Sequence, residues 1–178
     1  MKLTLTVLGT FVLLLGIAGS GLAQWADDFD SYANGSGIIG QGGWDGWDGA
    51  PAADAFVTDF VSRSAPHSLA AVPTTDVVQQ FAGYTAGQWA ISAWCYIPIT
   101  ATGQQYFLLL NTYAHGGPYN WSTQLLMADG LIVSDPEAAL LPLLYDQWVE
   151  IRVEIDLDAD TQAIYYGGDL LSVKSWTE

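Results

Sequence analysis

The stretch Trp148-Val149-Glu150-Ile151-Arg152-Val153-Glu154-Ile155-Asp156-Leu157-Asp158 decides the fold. Val149, Ile151, Val153, Ile155 and Leu157 alternate without a break with Trp148 and a set of charged residues. Successive side chains of a strand point to opposite faces, so this spacing makes one apolar and one polar face. A helix would scatter the same five side chains around its axis and leave no stripe to bury. The stretch therefore reads as a β-strand with one face in a core and the other in water.

Working outward, Gln88 to Ile97 is rich in aromatic and β-branched residues, and Gln105 to Asn111 is a near-continuous apolar run suited to a strand covered on both faces. Shorter runs at Ala55 to Phe60, Ser68 to Val72, Val77 to Phe81, Thr123 to Ala128, Leu131 to Ser134 and Gln162 to Tyr166 extend the series. Turn formers separate them: Gly83, Thr102-Gly103, Gly116-Gly117-Pro118, Asp129-Gly130, Asp135-Pro136 and Gly167-Gly168-Asp169. Because no window offers a capped amphipathic helix of ordinary length, many short strands with frequent turns predict an all-β antiparallel sandwich or barrel. No internal repeat or inter-domain linker interrupts the series. Trp44 and Trp47 give the Gly-rich stretch Asn34 to Gly49 side chains to pack, which a floppy spacer would lack.

The first 23 residues read differently. Lys2 precedes Leu3 to Ile17, an apolar run broken only by threonines and glycines, and Gly21-Leu22-Ala23 offers small residues where a signal peptidase reads. We expect a signal peptide over residues 1–23, cleavage after Ala23, one domain over residues 24–178, and no membrane span once the leader is gone. Localisation would then be secreted or at the cell surface. The 178-residue chain has 19 acids, four bases and a net charge of −15; losing Lys2 takes the charge to −16. With Arg63, Arg152 and Lys174 as the remaining full cations, recognition of a phosphate backbone is excluded. Cys95 is the single cysteine, so no intrachain disulfide forms, and its place on an apolar strand face predicts a buried, inert thiol. His67 and His115 have no cysteine partners at zinc-ligand spacing.

Three pieces together carry a family resemblance: an early Asp27-Asp28-Phe29-Asp30-Ser31-Tyr32 strand followed by a Gly/Trp loop, a central Trp94-Cys95-Tyr96-Ile97-Pro98 strand, and the hairpin from Gln147-Trp148 through Asp156-Leu157-Asp158 to Tyr165-Tyr166-Gly167-Gly168. The pattern resembles the concanavalin A-like lectin/glucanase superfamily, in the LamG-like jelly-roll branch of secreted bacterial proteins. The resemblance spans most of residues 24–178 and implies a jelly-roll β-sandwich. Members of that family continue past the equivalent of Trp176 into a last strand, so the resemblance implies a domain lacking that strand. It also implies two functional classes, glycan-binding modules and glycan-cleaving enzymes.

For cleavage, glucanases of the superfamily carry Glu-x-Asp-x-Glu along one strand, and Glu154-Ile155-Asp156-Leu157-Asp158 is similar, with Asp as the last acid. A glycoside hydrolase or lyase of that type would use Glu154 and Asp158, with Asp156 between them. Retention needs the two carboxyls about 5–5.5 Å apart, whereas residues four apart on a strand have backbones roughly 13 Å apart. The same acids, Asp156, Asp158 and Asp160, alternate as oxygen-ligand loops do, which makes calcium the candidate cofactor. An EF-hand would need Gly where Thr161 stands and Glu where Gly167 stands, so a solvated turn explains the run more simply.

For binding, Tyr113-Ala114-His115-Gly116-Gly117-Pro118-Tyr119-Asn120-Trp121 packs three aromatics, an amide and an imidazole around a Gly-Gly-Pro bend. A sugar ring has an apolar C–H face and a rim of hydroxyls, so a binder needs a flat ring and a few polar side chains. Trp44-Asp45-Gly46-Trp47-Asp48-Gly49 has the same ingredients. The candidate ligand residues are thus Tyr113, His115, Tyr119, Asn120 and Trp121, with Trp44 and Trp47; the competing role for such aromatics is to anchor loops against the sheet. The expectation is a secreted, non-catalytic recognition module with carbohydrate as partner. The alternatives are the glucanase-type enzyme and a structural cell-surface or matrix module without a small ligand.

Overall fold

The computed structural model describes residues 2–6 and 25–178. Residues 7–24, which hold most of the expected leader and its cleavage point, lie outside the described residues. The strands are β1 (Lys2–Thr6), β2 (Trp44–Gly46), β3 (Phe56–Thr58), β4 (Ser68–Ala70), β5 (Val77–Gln80), β6 (Gln88–Tyr96), β7 (Gln105–Tyr113), β8 (Tyr119–Ala128), β9 (Leu131–Asp135), β10 (Ala139–Pro142), β11 (Trp148–Asp156), β12 (Thr161–Tyr166) and β13 (Asp169–Ser175). The helical pieces described are two short 3-10 turns, Trp47–Gly49 and Pro51–Ala53.

Two main antiparallel sheets form, one ordered β10-β9-β8-β7-β1-β5-β2 and the other β13-β12-β11-β6, with β3 and β4 as a separate pair. In β11 the apolar members of the alternation, Val149, Ile151, Val153 and Ile155, are all buried, while Arg152 is exposed. They join Phe107 and Leu109 of β7, Leu125 and Met127 of β8 and Ile164 of β12 in a single core cluster, which gives the protein the character of an all-β sandwich. Polar side chains also cross between the sheets. The Thr123 hydroxyl donates to Gln162 Oε1 at 2.5 Å, Gln162 Nε2 donates to the Ser122 carbonyl at 2.6 Å, and the Ser134 and Ser172 hydroxyls meet at 3.1 Å. Buried polar groups paired in this way fix how one layer sits on the other. Cys95 is buried with its sulfur 3.5 Å from the Val149 carbonyl, and burial pushes its thiol pKa up to about 12, which makes it inert at neutral pH.

One expected element is corrected. Asp27 to Tyr32 is a compact turn: Asp27 Oδ1 accepts the Phe29 amide at 2.9 Å, Asp28 Oδ1 accepts the Asp30 amide at 3.1 Å, and Phe29 has φ +64°. Aspartate side chains that capture amides two residues on compete with strand pairing. Leu157 and Asp158 likewise leave β11 for the turn that leads to β12, because Asp156 Oδ1 accepts the amides of Asp158 and Ala159. No helix among the described residues is long and apolar enough to cross a membrane.

Candidate functional site

The two aromatic segments, far apart in sequence, meet at one end of the larger sheet. In the first, the chain leaves β2 and tightens into the turn Trp47–Gly49. Gly46 is required there, because a Cβ at its position would lie 2.2 Å from the Ala50 carbonyl oxygen. The Trp47 amide donates to the Asp76 carbonyl at 2.8 Å, tying the turn to the residue before β5. The second segment is the β7–β8 hairpin, where Tyr113 and Tyr119 face each other in register and Gly117 N–H closes the bend on the Ala114 carbonyl at 2.8 Å.

Trp47 is the hub. Its ring stacks on Trp121 with centroids 5.3 Å apart at 15°, and contacts Tyr119 at 4.9 Å and Tyr113 at 4.7 Å. Aromatic pairs of this kind contribute about 0.5–1.5 kcal/mol beyond their buried area. Asp48 locks the two segments together: its carboxylate accepts the Tyr119 hydroxyl at 2.6 Å and the Gly116 amide at 2.9 Å, and its own amide donates to the Tyr113 hydroxyl at 2.8 Å. That carboxylate is the main reason the Tyr119 pKa is pushed up to about 12, with burial adding to it, so the phenol stays a neutral donor. His115 Nε2 completes the rim, 3.4 Å from Asp45 Oδ2 and 3.3 Å from Gln80 Nε2. The product is an aromatic shelf, with Tyr119 exposed and Trp47, Tyr113 and Trp121 half-buried, edged by carboxylates and an imidazole. Such a surface can stack the apolar face of a ring while its rim exchanges hydrogen bonds with hydroxyls.

The other candidates fall elsewhere. Trp44 is 2% exposed, packs on Trp25 and Phe29, and donates its indole N–H to Asp27 Oδ2 at 3.0 Å, so it belongs to the core and not to the shelf. Asn120 spends an amide hydrogen on the Thr177 carbonyl, which pins the chain's last residues beside the hairpin. Sequence reasoning missed Gln80 and Asp76, which come from in and beside β5. Asp76 Oδ1 is sealed from solvent with no hydrogen-bond partner, and burial, then the nearby Asp48 charge, push its pKa up to about 6. Nothing local in the sequence around Asp76 marks it, because its neighbours here are set by topology.

A cavity of about 520 Å³ lies on the outer face of the smaller sheet. Gln88, Ser92, Glu150, Arg152, Glu154 and Asp156 supply its polar lining. Small residues at Ala90 and Ala163 flank Glu154 on the neighbouring strands and leave room for it. Arg152 holds Glu154 at 2.6 Å. Asp158 does not line this cavity. It sits in the turn after β11, so the Glu154–Asp158 pair does not share a strand. Asp156 is engaged by Gln88 and two turn amides, and Asp160 accepts the Ser175 and Thr177 hydroxyls; these bonds lower the pKa of both carboxyls. Among the described residues, no group of three His, Cys, Asp or Glu side chains converges to hold a metal ion.

Compared with known proteins, the chain matches no family model, no curated protein and no solved structure.

Proposed function

We propose that this is a secreted recognition module of concanavalin A-like jelly-roll build that binds carbohydrate without cleaving it. The observation that carries the reading is the convergence of Trp47 with Tyr113, Tyr119 and Trp121, rimmed by Asp45, Asp48 and His115. Two loops separated by more than sixty residues in the chain spend three hydrogen bonds on fixing these rings and leave Tyr119 exposed. A rigid scaffold that holds aromatic loops in this way is a common basis of ligand recognition. The test is glycan-array binding by the folded protein, with Tyr119→Ala and Trp121→Ala abolishing the signal while the fold persists.

The glucanase-type alternative has its own supporting observation, the placement of Glu154 in the cavity of about 520 Å³ on the smaller sheet. Release of reducing ends from β-glucans, lost in Glu154→Gln, would establish it. If neither binding nor cleavage occurs, a structural cell-surface module is the remaining reading.

A further inference from the structure

We propose that the shelf selects a protonated amino sugar, a glucosamine-type oligosaccharide, over neutral and acidic glycans. This deepens the carbohydrate reading of the same site and rests on it. The argument begins with the rings. Trp47, Tyr113, Tyr119 and Trp121 bring four π-systems into mutual contact, and the face of each such ring is negative. An ammonium group near an aromatic face is attracted to it, whereas a carboxylate or sulfate is repelled.

The side chains at the rim reinforce that sign. Asp45 stands on β2 and Asp48 on the turn that presents Trp47. The Asp45 side chain is 43% exposed and so accessible to a ligand. The described arginines and lysine are placed elsewhere: Arg63 lies 3.8 Å over the Trp94 ring, Arg152 is 2.6 Å from Glu154, and Lys174 is 3.2 Å from Glu137, while the His115 imidazole stands at the rim, 3.4 Å from Asp45 Oδ2. The whole chain carries −15, which further disfavours uronate or sulfated sugars at this surface. A hexosamine meets both demands: its C–H face stacks on the exposed Tyr119 beside the half-buried Trp121, and its ammonium lies toward Asp45 and Asp48.

Titration calorimetry of the folded chain at low salt and mildly acidic pH tests this with three probes: a glucosamine oligomer, the same oligomer fully N-acetylated, and an oligoglucuronate. The expected preference for the free amine over its acetylated form is about tenfold, the combined scale of one exposed ion pair and one cation–π contact. That preference should shrink as salt rises, and should narrow in Asp45→Asn, which keeps the Oδ1 acceptor used by the Gly46 amide. Equal affinity for the two hexosamine oligomers, a preference untouched by Asp45→Asn, or tighter binding of the glucuronate overturns the inference and leaves carbohydrate binding standing. Failure of the folded protein to bind any of the three overturns the inference, and failure on the glycan array as well overturns the carbohydrate reading.

Discussion

Replacing Asp76 with Asn should stabilise the protein at neutral pH and flatten its pH profile. Asp76 is held by its backbone, the amide donating to the Ala53 carbonyl and the carbonyl accepting from Trp47, both at 2.8 Å. Its side chain is thereby left with Oδ1 buried and unpartnered, and its pKa rises from 3.8 to about 6 through burial and then the Asp48 charge. Between those values the folded state keeps a proton that the unfolded chain releases. The favourable contribution is therefore complete below the unfolded pKa and fades as pH climbs through the folded one. Above it, folding must hold an ionised carboxylate in a poor place. The two pKa values correspond to roughly 3 kcal/mol if the group were fully buried, and residual solvent around this half-buried side chain reduces that to about 1–2 kcal/mol. Asn is neutral at every pH, so Asp76→Asn should gain about 1–2 kcal/mol near pH 7.5 and nothing near pH 4. Urea denaturation of both proteins across that range reads the difference directly. A variant that is destabilised near neutrality, or whose difference from the parent is the same at every pH, refutes the reasoning.

Other substitutions test the remaining parts of the account. Asp27→Ala strands the Trp44 indole N–H, the Tyr32 hydroxyl and the Phe29 amide, which now reach Asp27 at 3.0, 2.7 and 2.9 Å; denaturant unfolding should show a loss of about 2–4 kcal/mol. On adjacent positions of β11, Ile151→Ala should cost about 2–5 kcal/mol by opening a core cavity. Arg152→Ala, which breaks an exposed pair with Glu154, should cost under about 1 kcal/mol, and similar losses at the two positions would contradict the assigned faces. Gly46→Ala drives a methyl into the Ala50 carbonyl. It should displace the Trp47 turn and weaken glycan binding more than it lowers the melting temperature.

Periodicity disclosed the sheets because it is a local property. The alternation in β11 announces which side chains face the core, and the structure buries Val149, Ile151, Val153 and Ile155 accordingly. The apolar run of β7 reads as covered on both faces and so marks a strand without marking its inner side; the structure buries Phe107 and Leu109 and leaves Leu108 between them half-buried. Strands that lack a pattern stayed hidden. Trp44–Gly46 is three residues long, Ala139–Pro142 ends in a proline, and Asp169–Ser175 exposes Leu170 and Val173 on its outer face. The early Asp27 stretch was misread because its aspartates capture nearby amides, a competition that composition does not weigh. At the site, both aromatic loops were visible as unusual clusters of rings around glycines. Their meeting was not, since the Trp47–Trp121 stack depends on how β2, β7 and β8 are ordered. Trp44 and Trp47 look alike in sequence, yet the three-residue offset places one in the core and the other in the shelf.

The most direct test of the shelf is to follow the indole N–H resonances of the eight tryptophans while a bound oligosaccharide is titrated in. The signals of Trp121 and Trp47 should move in a saturable way, with that of buried Trp44 still. Movement confined to Trp89, which lines the cavity on the smaller sheet, would place the ligand there and contradict the site described.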